Sequence, residues 1–179
     1  MNLLMLDLCA GTGSASAAER DRGWGIFTLD NNPSFGCSIT TDVRKFHWYS
    51  LRQPDLIWCS PPCDEFSREF MPWSKTGQNP DLSIVQACMR IVSEAKPRYW
   101  VIENTKGSVH WLSPLLGNPT YIHNPFYLWG IFPDISHVRV KTNKEHLSSS
   151  QAVKRAMIPY HLSWALCMAI EQQPELLEV

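Results

Sequence analysis

Asp7-Leu8-Cys9-Ala10-Gly11-Thr12-Gly13-Ser14 separates an apolar run from a helical pattern near the start of the chain. Its two glycines let the backbone turn tightly and approach a ligand closely. The helix that follows presents free N–H groups, which favour a carboxylate or a phosphate. Asp30, at the end of the next apolar run, is placed to accept hydrogen bonds from ribose hydroxyls. Alone, this pattern is a weak indication of a nucleoside-containing cofactor, because glycine turns without a ligand are also common.

Short apolar runs alternate with helical patterns along the chain, which is typical of a parallel sheet covered by helices. Strands are predicted at residues 3–8, 25–30, 39–41, 55–59 and 98–103. Helices are predicted at 14–22, from Asp81 onward and at 148–172, where Pro159 interrupts or kinks the last one. Residues 63–80 are expected to form a loop and 137–141 an extended segment, whereas 105–133 allow no assignment. The expected fold is α/β, a doubly wound and mostly parallel sheet in one domain spanning residues 1–179.

Length and composition limit the functions that the chain can have. The 179 residues suffice for one domain with a sizeable core. The formal net charge of -1 gives no global basic surface, so a nucleic acid would have to be held by a local patch or with a partner's help. No apolar run approaches the length of a membrane span, and no signal peptide opens the chain. The six scattered cysteines are interpreted as reduced thiols, which favours a cytoplasmic protein.

A second motif, Trp58-Cys59-Ser60-Pro61-Pro62-Cys63-Asp64-Glu65-Phe66-Ser67, follows a predicted strand. Cys63 comes directly after two prolines and therefore lies on a stiff turn at the carboxyl edge of the sheet, where open α/β sheets bind ligands. A thiolate there is a good nucleophile if the site lowers its pKa. The alternative is a buried structural cysteine, which is our interpretation of Cys59, Cys88 and Cys167.

Two further segments carry charged side chains after or within extended runs. Glu103-Asn104-Thr105 directly follows a predicted strand, and a buried carboxylate at that place is unfavourable unless it is used or paired. The alternative interpretation is a glutamate that caps a helix. His137-Val138-Arg139-Val140-Lys141 alternates like an exposed strand and indicates little by itself.

Taken in order, these motifs resemble the cytosine-5 DNA methyltransferase family over almost the whole chain. The pairing of Pro61-Pro62-Cys63 and Phe66-Ser67 with Glu103-Asn104 is its most specific part. Amino-methyltransferases have an Asp- or Asn-Pro-Pro-aromatic motif at this place, and Cys63 argues against them. The resemblance implies a Rossmann-like methyltransferase fold, S-adenosyl-L-methionine as cofactor and DNA as partner. A bacterial or phage-infected cell would be a suitable setting.

The resemblance also implies a role for each motif. Asp30 would hold the ribose and Asp42 would meet the adenine amino group. Cys63 would attack carbon 6 of a flipped cytosine, while Glu103 would bond ring N3 and the amino group. Carbon 5 would then take the methyl group, β-elimination would release Cys63, and Arg139 would contact the base or the catalytic loop. The other residues implied at the cofactor are Asp7, Leu8, Cys9, Ala10, Gly11, Thr12, Gly13, Ser14, Asn31, Val43 and Pro61. Those implied at the substrate are Pro62, Ser67, Asn104 and Lys141.

Residues 64–80 would close over the flipped base, with Phe70, Trp73 or Lys75 at the DNA face. The alternative for this segment is a packed surface loop with Trp73 in the core.

The chain departs from the family pattern at several positions. Asp64 stands where the family usually has Gln, and His137 and Lys141 replace the members that usually flank Arg139. Residues 156–160 read Ala-Met-Ile-Pro-Tyr where a Gly-Asn-Ser motif is usual. Only residues 142–150 lie where a target-recognition domain normally stands. We therefore expect a short sequence readout, or contacts supplied by a partner chain or a second copy.

Four other functions compete with this interpretation. A zinc site is disfavoured because the chain has no Cys-x-x-Cys or paired-His spacing, so no metal is expected. A reaction like that of thymidylate synthase, which also adds a cysteine to a pyrimidine, is disfavoured. It does not need a glycine turn that binds a nucleoside. A non-catalytic subunit that binds DNA or protein remains an alternative, as does the same reaction on RNA.

Overall fold

The computed structural model describes residues 3–49, 52–67, 78–136 and 156–173. Within them, seven strands form one sheet in the order β3-β2-β1-β4-β5-β7-β6. Strands β1 to β5 pair in parallel, and the β6–β7 hairpin joins β5 antiparallel. The strands are β1 (Leu4–Leu8), β2 (Gly25–Asp30), β3 (Ile39–Thr40), β4 (Leu56–Cys59), β5 (Tyr99–Thr105), β6 (Tyr121–His123) and β7 (Phe126–Ile131).

Helices cover both faces of the sheet. The helices are α1 (Ala17–Asp21), α2 (Asp64–Ser67), α3 (Ser83–Ala95), α4 (Val109–Leu116) and α5 (Tyr160–Glu171). Helices α1 and α5 pack with Met5, Trp58 and Val101 on one face. Helices α3 and α4 pack with residues such as Leu6 and Ile102 on the other. The sheet is therefore doubly wound, as predicted.

The central strands are mostly apolar because both of their faces are covered, and their polar residues Asp7, Glu103 and Asn104 lie toward the carboxyl ends. Strands β1 and β4 are buried along their whole length. Successive side chains of a strand point to opposite faces, so each central strand contributes to both apolar clusters. No helix in the described ranges is long and apolar enough to cross a membrane.

The predicted strands are confirmed to within one or two residues at each end, but the predicted start of one helix is wrong. Helix α1 begins at Ala17 instead of residue 14, because the tight turn at Gly11 and Gly13 extends into the residues before it. Pro159 interrupts the last predicted helix, which was one of the two alternatives: Ala156 is helical, residues 157–159 are not, and α5 begins at Tyr160. Residues 148–155 lie outside the described residues.

Two loop regions differ from expectation. The segment 63–80 contains the short helix α2, while Phe70, Trp73 and Lys75 lie outside the described residues, as does the extended segment 137–141. The unassigned segment 105–133 holds α4 and the β6–β7 hairpin. Strand β7 lies between β5 and β6, so its position depends on antiparallel pairing that no local pattern indicated.

Gly130 is predicted to be essential for the pairing of β7 with β5. Its φ is +145°, and a Cβ atom there would overlap the Trp100 carbonyl oxygen and lie 2.9 Å from the carbonyl carbon. Gly130→Ala should therefore lower the free energy of unfolding by about 2–4 kcal/mol, measured by urea denaturation.

Gly23→Ala is the matched control. Gly23 also has a positive φ, +80°, but its Cβ would meet nothing within 4 Å. In this variant, backbone strain alone should lower the free energy of unfolding by about 1–2 kcal/mol. Equal losses for the two variants would contradict the overlap with Trp100.

Candidate active site

The carboxyl ends of the parallel strands form a cleft at one edge of the sheet. Two adjacent cavities of about 260 and 320 Å³ lie there and share Cys9, Phe35 and Ser60. The larger is also lined by Ala10, Gly11, Thr12, Ser14, Ala15, Ala156, Met157 and Ile158. The smaller is also lined by Leu29, Asp30, Asn31, Asn32, Thr41, Asp42, Val43, Arg44, Pro62 and Ile84. The strand ends therefore bring most of the predicted cofactor residues together.

The glycine turn forms one wall of this cleft. Gly11 and Gly13 have φ values of +51° and +70°, which other residues rarely adopt. A Cβ on Gly13 would also lie 3.1 Å from the Arg20 guanidinium. Asp30 holds the turn from the neighbouring strand, because one of its carboxylate oxygens accepts from the Gly11 N–H at 3.0 Å. The other oxygen accepts from the Asn32 N–H at 2.9 Å.

Two buried carboxyl groups lie outside the cavities, beneath and beside the turn. Asp7 is fully buried and accepts from the Ser16 hydroxyl, and burial raises the pKa of its carboxyl to about 7. Glu19 of α1 accepts from the Ser163 hydroxyl of α5 at 2.7 Å, and burial raises its pKa to about 8. One oxygen of each carboxyl has no partner in the described part of the chain. Asp7 therefore supports the turn from below and lines neither cavity.

Asp42 provides the second carboxylate of the smaller cavity. It accepts from the Arg44 backbone N–H at 2.9 Å and pairs with the Arg44 guanidinium at 2.6 Å. These bonds lower the pKa of the Asp42 carboxyl to about 2, so it is ionised at neutral pH. Val43 follows it and packs into the core beneath the cavity. Asp30 and Asp42 thus place two carboxylates in a cavity that can receive donors.

The Pro-Pro-Cys loop leaves the end of β4. Pro61 is buried, Pro62 is exposed and Cys63 is half-buried. The Cys63 carbonyl accepts from the Ser67 N–H at 3.0 Å and from the Ser67 hydroxyl at 2.9 Å. The side-chain N–H of Asn104 donates to the Pro61 carbonyl at 3.0 Å. Ser67 and Asn104 therefore hold the loop that carries Cys63.

Glu103 lies beside this loop, near the end of β5. The pairing of Cys59 with Ile102 brings the next residues, Ser60 and Glu103, side by side. Leu128 of β7 lies opposite Glu103 on the other side. Glu103 is only 8% exposed, and burial raises its pKa to about 7 although a hydrogen bond with Ser60 opposes that rise. A carboxyl with this pKa can hold or release a proton near neutral pH.

Some site residues were missed by the sequence analysis, and two predicted ones cannot be placed. Arg139 and Lys141 lie outside the described residues. No motif had pointed to the cavity residues Phe35, Thr41, Arg44 and Ile84. Ala156, Met157 and Ile158 belong to the segment that departs from the family's Gly-Asn-Ser motif, and they had been given no role at the cofactor. Ser60 belongs to the Pro-Pro-Cys motif but had been given no role. The alignment of its strand with the strand of Glu103 could have indicated that the two residues are neighbours. In the described ranges, no group of three or more His, Cys, Asp or Glu side chains is placed to hold a metal ion.

Residues 5–111 match the family described as C-5 cytosine-specific DNA methylase. The chain belongs to this family. The match covers the glycine turn, the Pro-Pro-Cys loop and the Glu103-Asn104 pair, so the predicted family is confirmed. It ends at Trp111, ahead of the β6–β7 hairpin and α5.

Individual relatives are more distant. A Frog virus 3 (isolate Goorha) protein named "Probable DNA (cytosine-5)-methyltransferase" is 27% identical over 117 residues, which are 56% of this chain and 52% of that protein. The chain therefore spans about half the length of the curated relative it matches.

The chain is also similar to solved structures. A prophage-encoded DNA modification methyltransferase candidate from E. coli is similar with a TM-score of 0.51 and 17% identity, covering 73% of this chain and 47% of that one. The S. pombe Dnmt2 methyltransferase is similar with a TM-score of 0.43 and 20% identity, covering 59% and 37%. The E. coli likeness and the strand order confirm the predicted Rossmann-like methyltransferase fold.

The buried carboxyls predict that this family member becomes less stable as the pH rises from about 5 to 8. The pKa values of Asp7 and Glu103 (about 7) and Glu19 (about 8) lie above the ordinary values of 3.8 and 4.5. The folded protein thus binds more protons than the unfolded chain in this range. The stabilisation is fully present below the ordinary values and is lost as the pH rises through 7 to 8. Urea denaturation at several pH values measures this slope.

Glu19→Gln tests the origin of the slope, because it keeps the shape of the side chain and removes its titration. The variant should flatten the decline by up to about 1.4 kcal/mol per pH unit. An unchanged slope, or a stability that rises with pH over this range, would contradict a protonated Glu19 in the folded state.

Proposed function

We propose that this chain transfers a methyl group from S-adenosyl-L-methionine to carbon 5 of cytosine in DNA, with Cys63 as the nucleophile. The observation that carries the proposal is the 3.0 Å hydrogen bond from Asn104 to the Pro61 carbonyl. It ties the loop bearing Cys63 to the strand end bearing Glu103. Addition to a pyrimidine ring requires a nucleophile and a group that can donate a proton to the ring. Cys63 and Glu103 lie on neighbouring strand ends and can supply the two. Membership of the cytosine-5 methylase family supports the same reaction.

The lining of the two cavities fits S-adenosyl-L-methionine. The tight turn at Gly11 and Gly13 has no side chains at these two positions, so the backbone can approach the amino-acid portion closely. Asp30 and the ionised Asp42 suit the hydroxyl and amino donors of the nucleoside. Asp30 also favours a cationic ligand, whereas the charge of Asp42 is offset by Arg44. When bound, the cofactor supplies an electrophilic methyl group on its sulfonium.

The residues of this chain then perform the acid–base and nucleophilic steps. The Cys63 thiolate adds to carbon 6 of the cytosine, and the electron pair of the carbon 5–carbon 6 double bond moves toward N3. Protonated Glu103 gives its proton to N3, which neutralises the developing charge and leaves a carboxylate. After carbon 5 is methylated, its proton passes to water, and the electron pair left behind re-forms the carbon 5–carbon 6 double bond and expels the Cys63 thiolate. The N3 proton returns to Glu103. The pKa of about 7 suits a group that must both give and take this proton.

The reaction requires the cytosine to leave the base stack, because neither carbon 5 nor carbon 6 is accessible to a thiol within a duplex. We propose that residues 64–80 close over the flipped base and that Arg139 and Lys141 contact it or the loop. We also propose that residues 1–179 act as a single catalytic domain. Its two apolar clusters share one sheet, which supports this proposal.

Covalent trapping on DNA that contains 5-fluorocytosine tests the nucleophile. The fluorine at carbon 5 cannot leave as a proton does, so the Cys63 adduct should persist and migrate slowly in a denaturing gel. Cys63→Ala should abolish both the adduct and methyl transfer. Glu103→Gln should slow methyl transfer by about 10²–10⁴-fold, because it keeps the shape but loses the proton. Normal turnover by Cys63→Ala would refute the nucleophile assignment.

The binding of S-adenosylhomocysteine, measured by calorimetry, provides the matched control. Cys63→Ala should bind it as the unaltered chain does. Asp30→Ala should bind it at least tenfold more weakly, because it loses a carboxylate of the cavity and the brace on Gly11. Failure of the unaltered chain to bind at millimolar ligand would refute the cofactor assignment.

We further propose that the enzyme reads a very short sequence context. Residues 137–155 are the whole interval between Ser136 and the segment 156–173 that packs against the cofactor cleft. Such an interval offers few side chains to read base edges in the major groove. The net charge of -1 also provides little attraction to phosphates, so binding should be weak and should fall steeply with salt.

Bisulfite sequencing of DNA methylated by the purified protein tests this readout. Methylation should occur at cytosines that share no more than one neighbouring base. Methylation confined to one fixed site of four or more base pairs, with no partner present, would refute it. RNA of the same sequence serves as the comparison substrate, and preferential methylation of RNA would overturn the choice of DNA.

A further inference from the structure

Ser60 lies between two buried side chains at the end of β4. The Trp58 indole N–H donates to the Ser60 hydroxyl oxygen at 2.8 Å. On the other side the hydroxyl hydrogen-bonds the Glu103 carboxyl of β5. The Ser60 backbone is held in turn by its N–H, which donates to the Leu8 carbonyl at 3.1 Å. Ser60 also lines both cavities of the cleft, so this chain of bonds ends where the cofactor and base are proposed to meet.

The register of the sheet makes this contact a property of the fold. Trp58 pairs with Val101, and continuing two residues along both strands brings Ser60 opposite Glu103 on the same face. The neighbour of Glu103 on its other side is the fully buried, apolar Leu128. Of these two cross-strand neighbours, only Ser60 can form a hydrogen bond with the carboxyl.

The chemistry of the partners fixes the direction of one bond and allows the other. An indole N–H can only donate, and Trp58 is fully buried, so its N–H needs the Ser60 oxygen as acceptor. That bond uses one lone pair of the hydroxyl oxygen and leaves the Ser60 proton available. Ser60 can therefore donate this proton to Glu103, its neighbour in the sheet.

We propose that Ser60, oriented by Trp58, is a positioning residue that determines which oxygen of Glu103 carries the catalytic proton. The oxygen that accepts from Ser60 stays unprotonated, so the proton lies on the other oxygen. This inference rests on the proposed function, in which Glu103 gives that proton to N3 of cytosine. Ser60 also remains a donor after the transfer, when Glu103 is a carboxylate, so it assists the release of the proton.

The test follows the titration of Glu103 itself, in the protein alone, by NMR of ¹³C-labelled glutamate carboxyls. Glu103→Gln and Glu19→Gln assign the two signals expected to titrate near neutral pH. Ser60→Ala removes the donor to the carboxylate and should raise the Glu103 midpoint by about one pH unit. Ser60→Thr retains the hydroxyl and should restore the midpoint. The Glu19 signal, which has no contact with Ser60, serves as the internal control.

Trp58→Phe tests the orientation of the hydroxyl separately. Without the indole N–H, the Ser60 proton is no longer directed at Glu103, and the midpoint should rise toward the Ser60→Ala value. Trp58→Phe combined with Ser60→Ala removes donor and acceptor together, so no buried indole N–H is left without a partner. Any of these variants that unfolds would lose the native carboxyl signals, and the folded ones still decide the question.

An unchanged Glu103 midpoint in folded Ser60→Ala would overturn the inference, and so would a midpoint that Ser60→Thr fails to restore. An unshifted midpoint in Trp58→Phe would overturn the role of Trp58. The pH profile of 5-fluorocytosine trapping should move with the NMR midpoint if Glu103 acts on the base. Because the NMR titration uses neither DNA nor cofactor, a shifted midpoint without any methyl transfer would refute the proposed function and leave the Ser60–Glu103 contact standing.

Discussion

The hydrogen bond from Asn104 to the Pro61 carbonyl joins the two strand ends on which the proposed chemistry depends. Strands β4 and β5 are parallel neighbours, so their carboxyl ends already lie at the same edge of the sheet. A loop that leaves this edge after two prolines still needs an anchor, and a buried amide provides it. Because Asn104 directly follows Glu103, the same strand holds the anchor of the loop and the carboxyl of the site.

Burial determines the charge of this edge. Asp7, Glu19 and Glu103 are each bonded to a serine hydroxyl, which stabilises a carboxylate less than a cation does. Desolvation therefore prevails and their pKa values rise. Asp42 differs because Arg44 is paired with it near the surface, and its pKa falls. This edge of the sheet thus carries Asp42, an ionised carboxylate paired with Arg44, and Glu103, a carboxyl that titrates near neutral pH.

Local patterns were sufficient for the elements whose periodicity is regular. Strands β1, β2, β4 and β5 were predicted to within two residues, because buried parallel strands are continuous apolar runs bounded by turns. The β6–β7 hairpin was not predicted, since its aromatic residues are mixed with Gly and Pro and its antiparallel pairing with β5 is a distant contact. The start of α1 was wrong because residues 14–16 still belong to the glycine turn and are not helical.

The sequence by itself determined the α/β class, the family, the glycine turn and the Cys63 and Glu103 motifs, because each depends on residue types at short spacing. Only the tertiary structure decided what these side chains contact. It placed Asp7 beneath the turn instead of in a cavity, engaged Asn104 with Pro61, and set Ser60 between Trp58 and Glu103. The physical reason is that strand register and burial are set by packing between distant segments. A hydrogen-bond partner or a shifted pKa follows from that packing and not from the neighbouring letters of the chain.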